Sequence, residues 1–150
     1  MDKICSTTTA YAQRPRLPAT IQLDHLLIFA RLPKPGTNKT RLIPALGAEK
    51  ATLVYRNLAE RTMSRARQLG GEKACLATVC FTGGTVGEAQ AEFGDDLAYG
   101  EQIGSSLGDR LQHASRSAFD AGAKKVIIIG TDCPSLTSNC LLYTSDAADE

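Results

Sequence analysis

Four basic residues lie close together near the start of the chain, and their side chains could bind phosphate. They are Arg31, Lys34, Lys39 and Arg41, in a loop that also contains Pro33, Pro35 and Gly36. Arginine offers phosphate oxygens a planar fork and lysine offers a compact charge, while glycine lets the backbone approach a ligand closely. The alternative is a solvated basic loop. The combination with Pro-x-Pro-Gly after an apolar segment favours phosphate binding.

The two commonest phosphate-binding motifs are absent from this segment. The P-loop of ATPases needs a glycine directly before Lys-Thr, and here Asn38 precedes Lys39. The dinucleotide fingerprint needs Gly-x-Gly-x-x-Gly after the first strand, and no such run follows residues 26–30. The loop is therefore expected to bind phosphate in another way.

A single acidic residue follows the most apolar run of the chain. Asp132 comes two residues after the run at 126–129. A carboxylate at the end of a buried parallel strand can hold Mg²⁺ or Mn²⁺, because magnesium is typically bound through one or two carboxylates plus substrate phosphates. An equally good alternative is that Asp132 caps a turn. The neighbouring Cys133 has no histidine nearby in sequence and is assigned no catalytic role.

A third cluster lies at the start of a predicted helix. Its members are Gln102, Gly104, Leu107, Gly108, Asp109 and Arg110. The two glycines suggest a close approach, and Arg110 could reach an anionic ligand. A helix cap with an exposed Asp109–Arg110 pair is the interpretation that these residues alone favour. His25 and His113 have no partner at ligand spacing and are predicted to be structural.

Alternating strands and helices must position these residues. Apolar runs predict strands at 26–30, 74–81, 97–99 and 126–129. Helical patterns are predicted at 49–69, from a Thr85/Glu88 capping box to 93, and from Ser106 to 122. This rhythm predicts an α/β fold, a mostly parallel sheet with helices on both faces. Ligands bind such sheets where the strand order reverses, so the order 3-2-1-4 would bring the basic loop and Asp132 to one crevice.

Two of the helices show an apolar face. In the helix at 49–69 the face consists of Ala51, Tyr55, Leu58, Thr62, Ala66 and Leu69, and Gly70-Gly71 is predicted to end the helix. In the helix after Ser106 the face consists of Leu107, Leu111, Ala114, Ala118 and Ala121.

Length and composition limit the class of protein. The 150 residues correspond to one domain, and a net charge of +1 argues against a generic nucleic-acid binder. No apolar stretch is long enough to span a membrane. The five cysteines lack paired metal-ligand spacing and a secretory context, so a reduced, cytoplasmic protein is expected. Cys75 and Cys80 lie in an apolar run and are predicted to be buried.

The two ends of the chain differ from its middle. Residues 1–24 are rich in Ser, Thr and Pro without a signal-peptide core, which predicts a flexible leader; a vector-derived or misassigned start is the alternative. Residues 140–150 resemble the conceptual translation of a transposon-based sequencing adapter, the alternative being a real acidic helix end. Without the three acidic residues of that tail, 13 of the 16 acidic residues remain against 17 basic ones, a net charge of +4.

Three motifs in this order resemble a bacterial family of GT-A-like transferases, of the selenodomain-associated transferase 1 type, which is related to nucleotidyltransferases. They are Ala30-Arg31-x-Pro33-x-Pro35-Gly36-x-x-Lys39-Thr40-Arg41-Leu42, Gln102-x-Gly104-x-x-Leu107-Gly108-x-Arg110 and Gly130-Thr131-Asp132-Cys133-Pro134-x-Leu136. The resemblance covers residues 25–139 and implies a Rossmann-like nucleotide-diphospho-sugar transferase fold. It also implies that Arg31, Lys39 and Arg41 contact the nucleotide phosphates and that Asp132 holds the divalent metal.

The chain departs from that family after its last predicted strand. Members continue with an Asp-Gly-Gly-Tyr-like motif and further strands, which are absent from this sequence. The domain is therefore expected to be incomplete at its C-terminus, and the 150-residue chain is expected to be inactive and marginally stable.

The leading hypothesis is a metal-dependent transferase that uses a nucleotide-activated donor. The expected phosphate-binding residues are Arg31, Gly36, Lys39, Arg41 and Arg110, and the expected metal ligand is Asp132 for Mg²⁺ or Mn²⁺. The expected partners are a nucleotide or nucleotide-sugar donor and an acceptor, without nucleic acid. The motifs do not separate glycosyl transfer from nucleotidyl transfer. The second hypothesis is a non-catalytic nucleotide-binding regulatory module, which would need no metal.

Overall fold

The structure is a computed structural model that describes residues 24–72 and 75–132. The predicted adapter-derived tail, Cys133 and all but the last residue of the predicted leader lie outside these described residues. Asp24, the last residue assigned to the leader, instead begins the first strand. Within the described residues no helix is both long and apolar enough to cross a membrane.

Four strands and three helices follow the predicted order, with bounds that differ by up to three residues. The strands are β1 (Asp24–Arg31), β2 (Cys75–Thr82), β3 (Ala98–Glu101) and β4 (Lys125–Gly130). The helices are a 3₁₀-helix (Thr40–Leu42), α1 (Ile43–Leu46), α2 (Ala48–Glu72), α3 (Val86–Phe93) and α4 (Leu107–Asp120). The 3₁₀-helix and α1 were not predicted, because a single turn is too short to show helical periodicity.

The strands form one parallel sheet in the order β3-β2-β1-β4, which confirms the predicted order. β1 lies at its centre, and Ile28 pairs with Val79 on one side and with Ile129 on the other. The strand order reverses between β1 and β4. Because all four strands are parallel, their carboxyl ends meet at one edge, where the loops after β1 and β4 begin.

Helices cover both faces of the sheet, as predicted. On one face α2 and α3 pack Met63 and Phe93 against Ile28 and Phe81. On the other face α4 packs Ala118 and its neighbours against Leu27 and Cys80. A parallel sheet needs this cover because both of its faces are apolar.

The buried stripe of α2 is centred differently from the predicted one. Ala59 and Met63, which the prediction omitted, are fully buried, whereas Leu58 is half-buried. The helix also continues past Gly70 to Glu72, although Gly70-Gly71 was predicted to end it. A glycine costs a helix only about 1 kcal/mol, and at position 70 an added Cβ would lie 3.6 Å from the carbonyl oxygen of Cys75.

The ends of α3 and α4 follow the predicted capping signals. The Thr85 hydroxyl accepts from the Glu88 N–H at 3.2 Å, and the Glu88 carboxylate accepts from the Thr85 N–H at 2.7 Å. That second bond lowers the pKa of Glu88. Ser106 caps α4 by accepting from Asp109 N–H at 3.1 Å.

Part of the predicted face of α4 is wrong. Leu107 is 64% exposed and Ala121 is exposed, while Ala114 and Ala118 are buried. The helix covers the sheet only along its middle turns, so its first residue projects beyond the sheet at the carboxyl ends of the strands.

His25, Cys75 and Cys80 lie in the strands and are buried or half-buried. His25 is buried, and its Nε2 lies 2.9 Å from the Thr78 hydroxyl across β1 and β2. Cys80 is buried as predicted, whereas Cys75 is half-buried, at the start of β2. Burial raises the pKa of the Cys75 thiol, which lowers the fraction of reactive thiolate at this residue.

Candidate functional site

An open cleft of about 310 Å³ lies at the carboxyl ends of the central strands. It sits between β1 and β4, where the strand order reverses. Its lining is Phe29, Ala30, Arg31, Thr37, Asn38, Lys39, Tyr55, Thr82, Gln102, Leu107, Gly130, Thr131 and Asp132. The basic loop and the residues after β4 thus meet in one cleft, as the sequence predicted.

Lys39 and Asp132 form an ion pair across this cleft. Lys39 Nζ lies 2.7 Å from Asp132 Oδ1, and the two side chains are 25% and 72% exposed. Lys39 has φ 49° and ψ 45°, and it is the only non-glycine residue with positive φ among the described residues. This left-handed conformation is uncommon for a lysine. It turns the chain into the 3₁₀-helix, where Leu42 N–H donates to Lys39 O at 2.9 Å.

Asn38 organises the loop that carries Lys39. Its side chain is buried, and its Oδ1 accepts from the Lys34 N–H at 2.8 Å and lies 3.0 Å from the Thr37 hydroxyl. The sequence analysis mentioned Asn38 only because the P-loop motif would require a glycine at this position. Its signal was its position in a Pro-Gly turn, where an asparagine side chain often accepts from nearby backbone.

Gly36 has a conformational role in the same loop. Its φ is +84°, while a Cβ at this position would meet nothing within 4 Å. A glycine is favoured here because other residues rarely adopt that backbone conformation.

Tyr55 forms part of the floor of the cleft. Its hydroxyl accepts from the Arg31 N–H at 2.8 Å, at the end of β1. Burial raises the pKa of Tyr55, and hydrogen bonding with Thr131 and with the Arg31 N–H partly opposes that rise. The sequence placed Tyr55 only on an apolar stripe. Its signal was the hydroxyl, because a buried tyrosine usually finds a polar partner.

Gln102 connects the third sequence motif to the strand ends. Its Nε2 donates to Cys80 O at 2.9 Å and to Ala30 O at 3.3 Å, so it bridges β2 and β1. Its Oε1 lies 3.5 Å from the Arg110 guanidinium, whose Nε donates to Gly104 O at 3.1 Å. Gln102 therefore lines the cleft, and Arg110 lies behind it.

Gly104 makes the close approach that its motif suggested. Its φ is +143°, and an added Cβ would lie 2.7 Å from Asp109 Cβ and 2.8 Å from the backbone nitrogen of Arg110. At Gly108 the nearest atom would be 3.8 Å away, so no such approach occurs there.

The predicted site residues fall into two groups. Arg31, Lys39 and Asp132 line the cleft. Gly36, Arg41 and Arg110 lie outside its lining: Gly36 precedes the lining residue Thr37, and Arg41 is exposed in the 3₁₀-helix. The roles assigned to all six residues remain predictions.

A metal ion at this cleft would need to obtain most of its ligands from elsewhere. Within the described residues there is no group of three or more His, Cys, Asp or Glu side chains that could hold a metal. Asp132 is the only carboxylate among the cleft-lining residues that the structure describes. Magnesium accepts such a site when substrate phosphates and waters supply its other oxygens.

The overall arrangement is similar to that of a solved bacterial structure. A proposed nucleotide-diphospho-sugar transferase from Desulfovibrio desulfuricans G20 superposes with a TM-score of 0.74 and 27% sequence identity, over 86% of this chain. This chain spans 55% of the length of that protein. A search of curated proteins gave no match.

A family profile matches 90 of the 150 residues, from 61 to 150. The matched range includes residues 140–150, whose predicted adapter origin remains a prediction. The profile bears the description "Uncharacterized protein conserved in bacteria (DUF2064)". Family profile and structural likeness agree with the predicted GT-A-like transferase family at this coarse level, and the chain has a Rossmann-like α/β fold. The chain belongs to the bacterial DUF2064 family.

Proposed function

We propose that this protein is a metal-dependent transferase that uses a nucleotide-activated donor. The donor is a nucleoside diphosphate sugar, from which a glycosyl group moves, or a nucleoside triphosphate, from which a nucleotidyl group moves. The observation that carries the proposal is the meeting of Lys39 and Asp132, 2.7 Å apart, in a cleft at the reversal of strand order.

The cations of the loop are the proposed phosphate ligands. Lys39 lines the cleft, Arg31 stands at the end of β1, and Arg41 follows in the 3₁₀-helix. None of the ion pairs among the described residues includes Arg31 or Arg41. Both guanidinium groups therefore keep their capacity for a bidentate phosphate contact. Gly36 gives the loop its turn, and Arg110, also a proposed phosphate ligand, lies with its guanidinium 3.5 Å from Gln102 Oε1.

Asp132 is the proposed ligand for Mg²⁺ or Mn²⁺. When bound, the metal would neutralise negative charge that develops on the leaving phosphate group. The protein's own part is to hold the donor phosphates beside Asp132 through the loop cations. Charge stabilisation of this kind is usually the largest single contribution to catalysis.

An apolar wall beside the cations supports a nucleotide rather than a free phosphate. Leu107 lines the cleft with 64% of its surface exposed. A nucleotide offers both charged phosphates and a largely apolar base and ribose. A cleft lined by both cationic and apolar side chains fits both parts. The structural relative described as a proposed nucleotide-diphospho-sugar transferase supports the same donor class.

Nucleotide binding to the full chain tests the proposal. UDP, GDP, UTP, GTP and sugar nucleotides are titrated by calorimetry with and without Mg²⁺. The double variant Lys39→Ala/Arg41→Ala is expected to bind at least about 100-fold more weakly, because each charge-assisted contact contributes about 1.5–3 kcal/mol. The control Lys50→Ala/Arg61→Ala removes two exposed cations from α2, outside the cleft lining. If the first variant binds as the parent does, the phosphate role of the loop is wrong.

The same ion pair favours a second candidate, a non-catalytic nucleotide-binding module. Lys39 already neutralises Asp132, so the pair alone could close the loop without a metal. In that case Mg²⁺ and Asp132→Asn would both leave nucleotide affinity unchanged. In a transferase both would change it. Release of a nucleoside diphosphate indicates glycosyl transfer, and release of pyrophosphate indicates nucleotidyl transfer.

A further inference from the structure

The Lys39 ammonium contacts one carboxylate oxygen of Asp132, which is the proposed ligand of the divalent cation. It lies 2.7 Å from Asp132 Oδ1, and a magnesium–oxygen bond is about 2.0–2.1 Å long. The two cations would lie so close together that their repulsion is strong even near the protein surface. An ammonium that stays on this carboxylate would therefore lower its affinity for a divalent cation.

We propose that Lys39 keeps the metal off Asp132 until donor phosphates bind, so that metal and nucleotide bind interdependently. This inference rests on the proposed function. The donor's phosphates draw the Lys39 ammonium away from the carboxylate. The freed carboxylate and the phosphate oxygens then form a joint ligand set for the metal. By linkage, the metal raises nucleotide affinity by the same factor as the nucleotide raises metal affinity.

The loop is built so that only the side chain of Lys39 has to move. The buried Asn38 accepts from the Lys34 N–H and fixes the backbone directly before Lys39. The carbonyl of Lys39 accepts from the Leu42 N–H in the next turn. With the backbone held on both sides, the ammonium can exchange Asp132 for phosphate by rotations about its own carbon chain.

Asp132 is accessible to the incoming metal. Its side chain is 72% exposed, so a hydrated cation can approach it from solvent. Among the described residues that line the cleft it is the only carboxylate, so none of them offers Lys39 a second acidic partner. The absence of a richer carboxylate cluster among the described residues fits a site that is completed by the substrate.

The test is the affinity of the full chain for Mn²⁺ without nucleotide, measured from the paramagnetic resonance signal of the free ion. Lys39→Met keeps the length of the side chain and removes its charge. We expect it to bind Mn²⁺ more tightly than the parent, by a factor within the range of about 5 to 150 that is typical of coupling between two ligands. Lys39→Arg should bind Mn²⁺ as weakly as the parent does.

Lys34→Met is the matched control, because it removes the same charge from the same loop without breaking the contact with Asp132. Screened by solvent and salt, its loss should change Mn²⁺ affinity by less than about twofold. Adding Asp132→Asn to Lys39→Met should abolish the gain. Thermal melting checks that each variant is folded. The inference fails if Lys39→Met gains nothing, or if Lys34→Met gains as much.

A nucleotide titration of the same proteins separates this inference from the proposed function. If the parent binds UDP or GTP with Mg²⁺ and Lys39→Met shows no gain in Mn²⁺ affinity, the competition at Asp132 is wrong and the proposed function stands. If Lys39→Met gains Mn²⁺ affinity and neither protein binds any nucleotide, the competition is real and the proposed function is wrong. In Lys39→Met the nucleotide affinity should also depend less on Mg²⁺ than in the parent.

Discussion

Two charged regions lie at opposite ends of the parallel strands, and they differ in how many of their charged groups are paired within the protein. The first is the cleft around Lys39 and Asp132, at the carboxyl ends of the strands. The second, the Arg67 cluster, consists of Glu60, Arg67, Asp96, Tyr99 and the carbonyl groups of residues 93 and 94. It joins the end of α2 to the connection between α3 and β3, at the amino ends of the strands.

The Arg67 guanidinium is surrounded by acceptors. Its Nε lies 2.7 Å from Asp96 Oδ2, and its Nη2 lies 3.1 Å from Asp96 Oδ1. It also donates to Phe93 O, and Glu60 lies 3.5 Å away. The hydrogen bond with Asp96 raises the pKa of Arg67 and lowers that of Asp96.

Tyr99 completes the cluster and leaves no room beside it. Its hydroxyl donates to Gly94 O, and burial raises the pKa of Tyr99 to about 12. At Gly94, where φ is +102°, an added Cβ would lie 2.6 Å from Arg67 Nη2. In the Arg67 cluster, the charged groups are therefore paired with other groups of the protein. The cleft holds one exposed ion pair and keeps cations available, which is the arrangement that a ligand requires.

The largest expected effect separates binding from stability in the cleft. Asp132→Asn should weaken Mg²⁺-dependent nucleotide binding about 100-fold, comparable to the loss of one strong charge-stabilising group. It should change the free energy of unfolding by less than about 1 kcal/mol, because an exposed ion pair stabilises little. Calorimetry and urea unfolding measure the two quantities. A large loss of stability with intact binding would make Asp132 structural and erase the contrast.

Arg67→Met should show the opposite pattern. It leaves Asp96 and the Phe93 carbonyl without their donor, so we expect a loss of about 1–3 kcal/mol in the free energy of unfolding. Nucleotide affinity should remain within about twofold of the parent's, because well-separated sites act nearly independently. Arg56→Met, which removes the ion pair with Glu92 at 2.8 Å, is the matched control and should cost less. Equal losses would contradict the special role of Arg67.

Tyr55→Phe should affect both stability and binding, because Tyr55 links the core to the cleft. Loss of its hydroxyl leaves the Arg31 N–H without this acceptor, at a cost of about 1–2 kcal/mol. The backbone at the end of β1 is then less firmly positioned, and nucleotide affinity should fall several-fold. Tyr99→Phe, at the other edge, should lower stability alone. Unchanged nucleotide affinity in Tyr55→Phe would show that the cleft does not depend on that bond.

The backbone of Lys39 gives a smaller effect. Lys39→Gly should unfold with a free energy about 1 kcal/mol higher than Lys39→Ala, because alanine is strained at φ 49° and glycine is not. Both variants lose the ion pair, so the comparison isolates the backbone. Urea unfolding of the two variants measures the difference. Equal stabilities would mean that the left-handed conformation relaxes once the pair is lost.

The smallest effect is the dependence of stability on pH. The folded pKa of Asp96 is lowered, chiefly by its hydrogen bond with Arg67, so its contribution is present above the unfolded pKa of about 3.9. That contribution is lost as the pH falls through the folded value. Asp96→Asn should therefore flatten the acid limb of thermal stability between about pH 5 and pH 3. Asp95→Asn, whose carboxylate accepts no hydrogen bond from Arg67, is the control. An unaltered slope in Asp96→Asn would place the acid sensitivity elsewhere.

Much of this fold could be predicted because its signals are local. The apolar runs of β1 and β4 predict buried strands, and the Thr85/Glu88 capping box forms as its spacing indicates. The strand order 3-2-1-4 was a hypothesis that would bring the basic loop and Asp132 together, and the structure has this order. The centre of the α2 stripe and the exposure of Leu107 could not be predicted, because both depend on where the helix crosses the sheet.

The sequence predicted the charged residues of the site but not the hydrogen-bonding residues that position them. Lys39 and Asp132 stand out in sequence because cations in a Pro-Gly loop and an acid after an apolar run are unusual. Asn38 and Tyr55 do not stand out, because each has ordinary uses in a turn or a helix face. Gln102 was named in the third sequence cluster, but the sequence assigned it no role. The hydrogen bonds of these residues join residues that the chain separates, such as Gln102 and Ala30.

The sequence by itself determined the elements, the parallel α/β class and the two motifs that could carry phosphate and metal chemistry. Those conclusions depend on local periodicity and on side-chain chemistry, which the residues carry wherever they lie. Only the tertiary structure decided that Lys39 pairs with Asp132, that Gln102 rather than Arg110 lines the cleft, and that Arg67 is fully committed to the fold. The physical reason is that each of these depends on which atoms of distant segments come within hydrogen-bonding distance, and packing alone sets that.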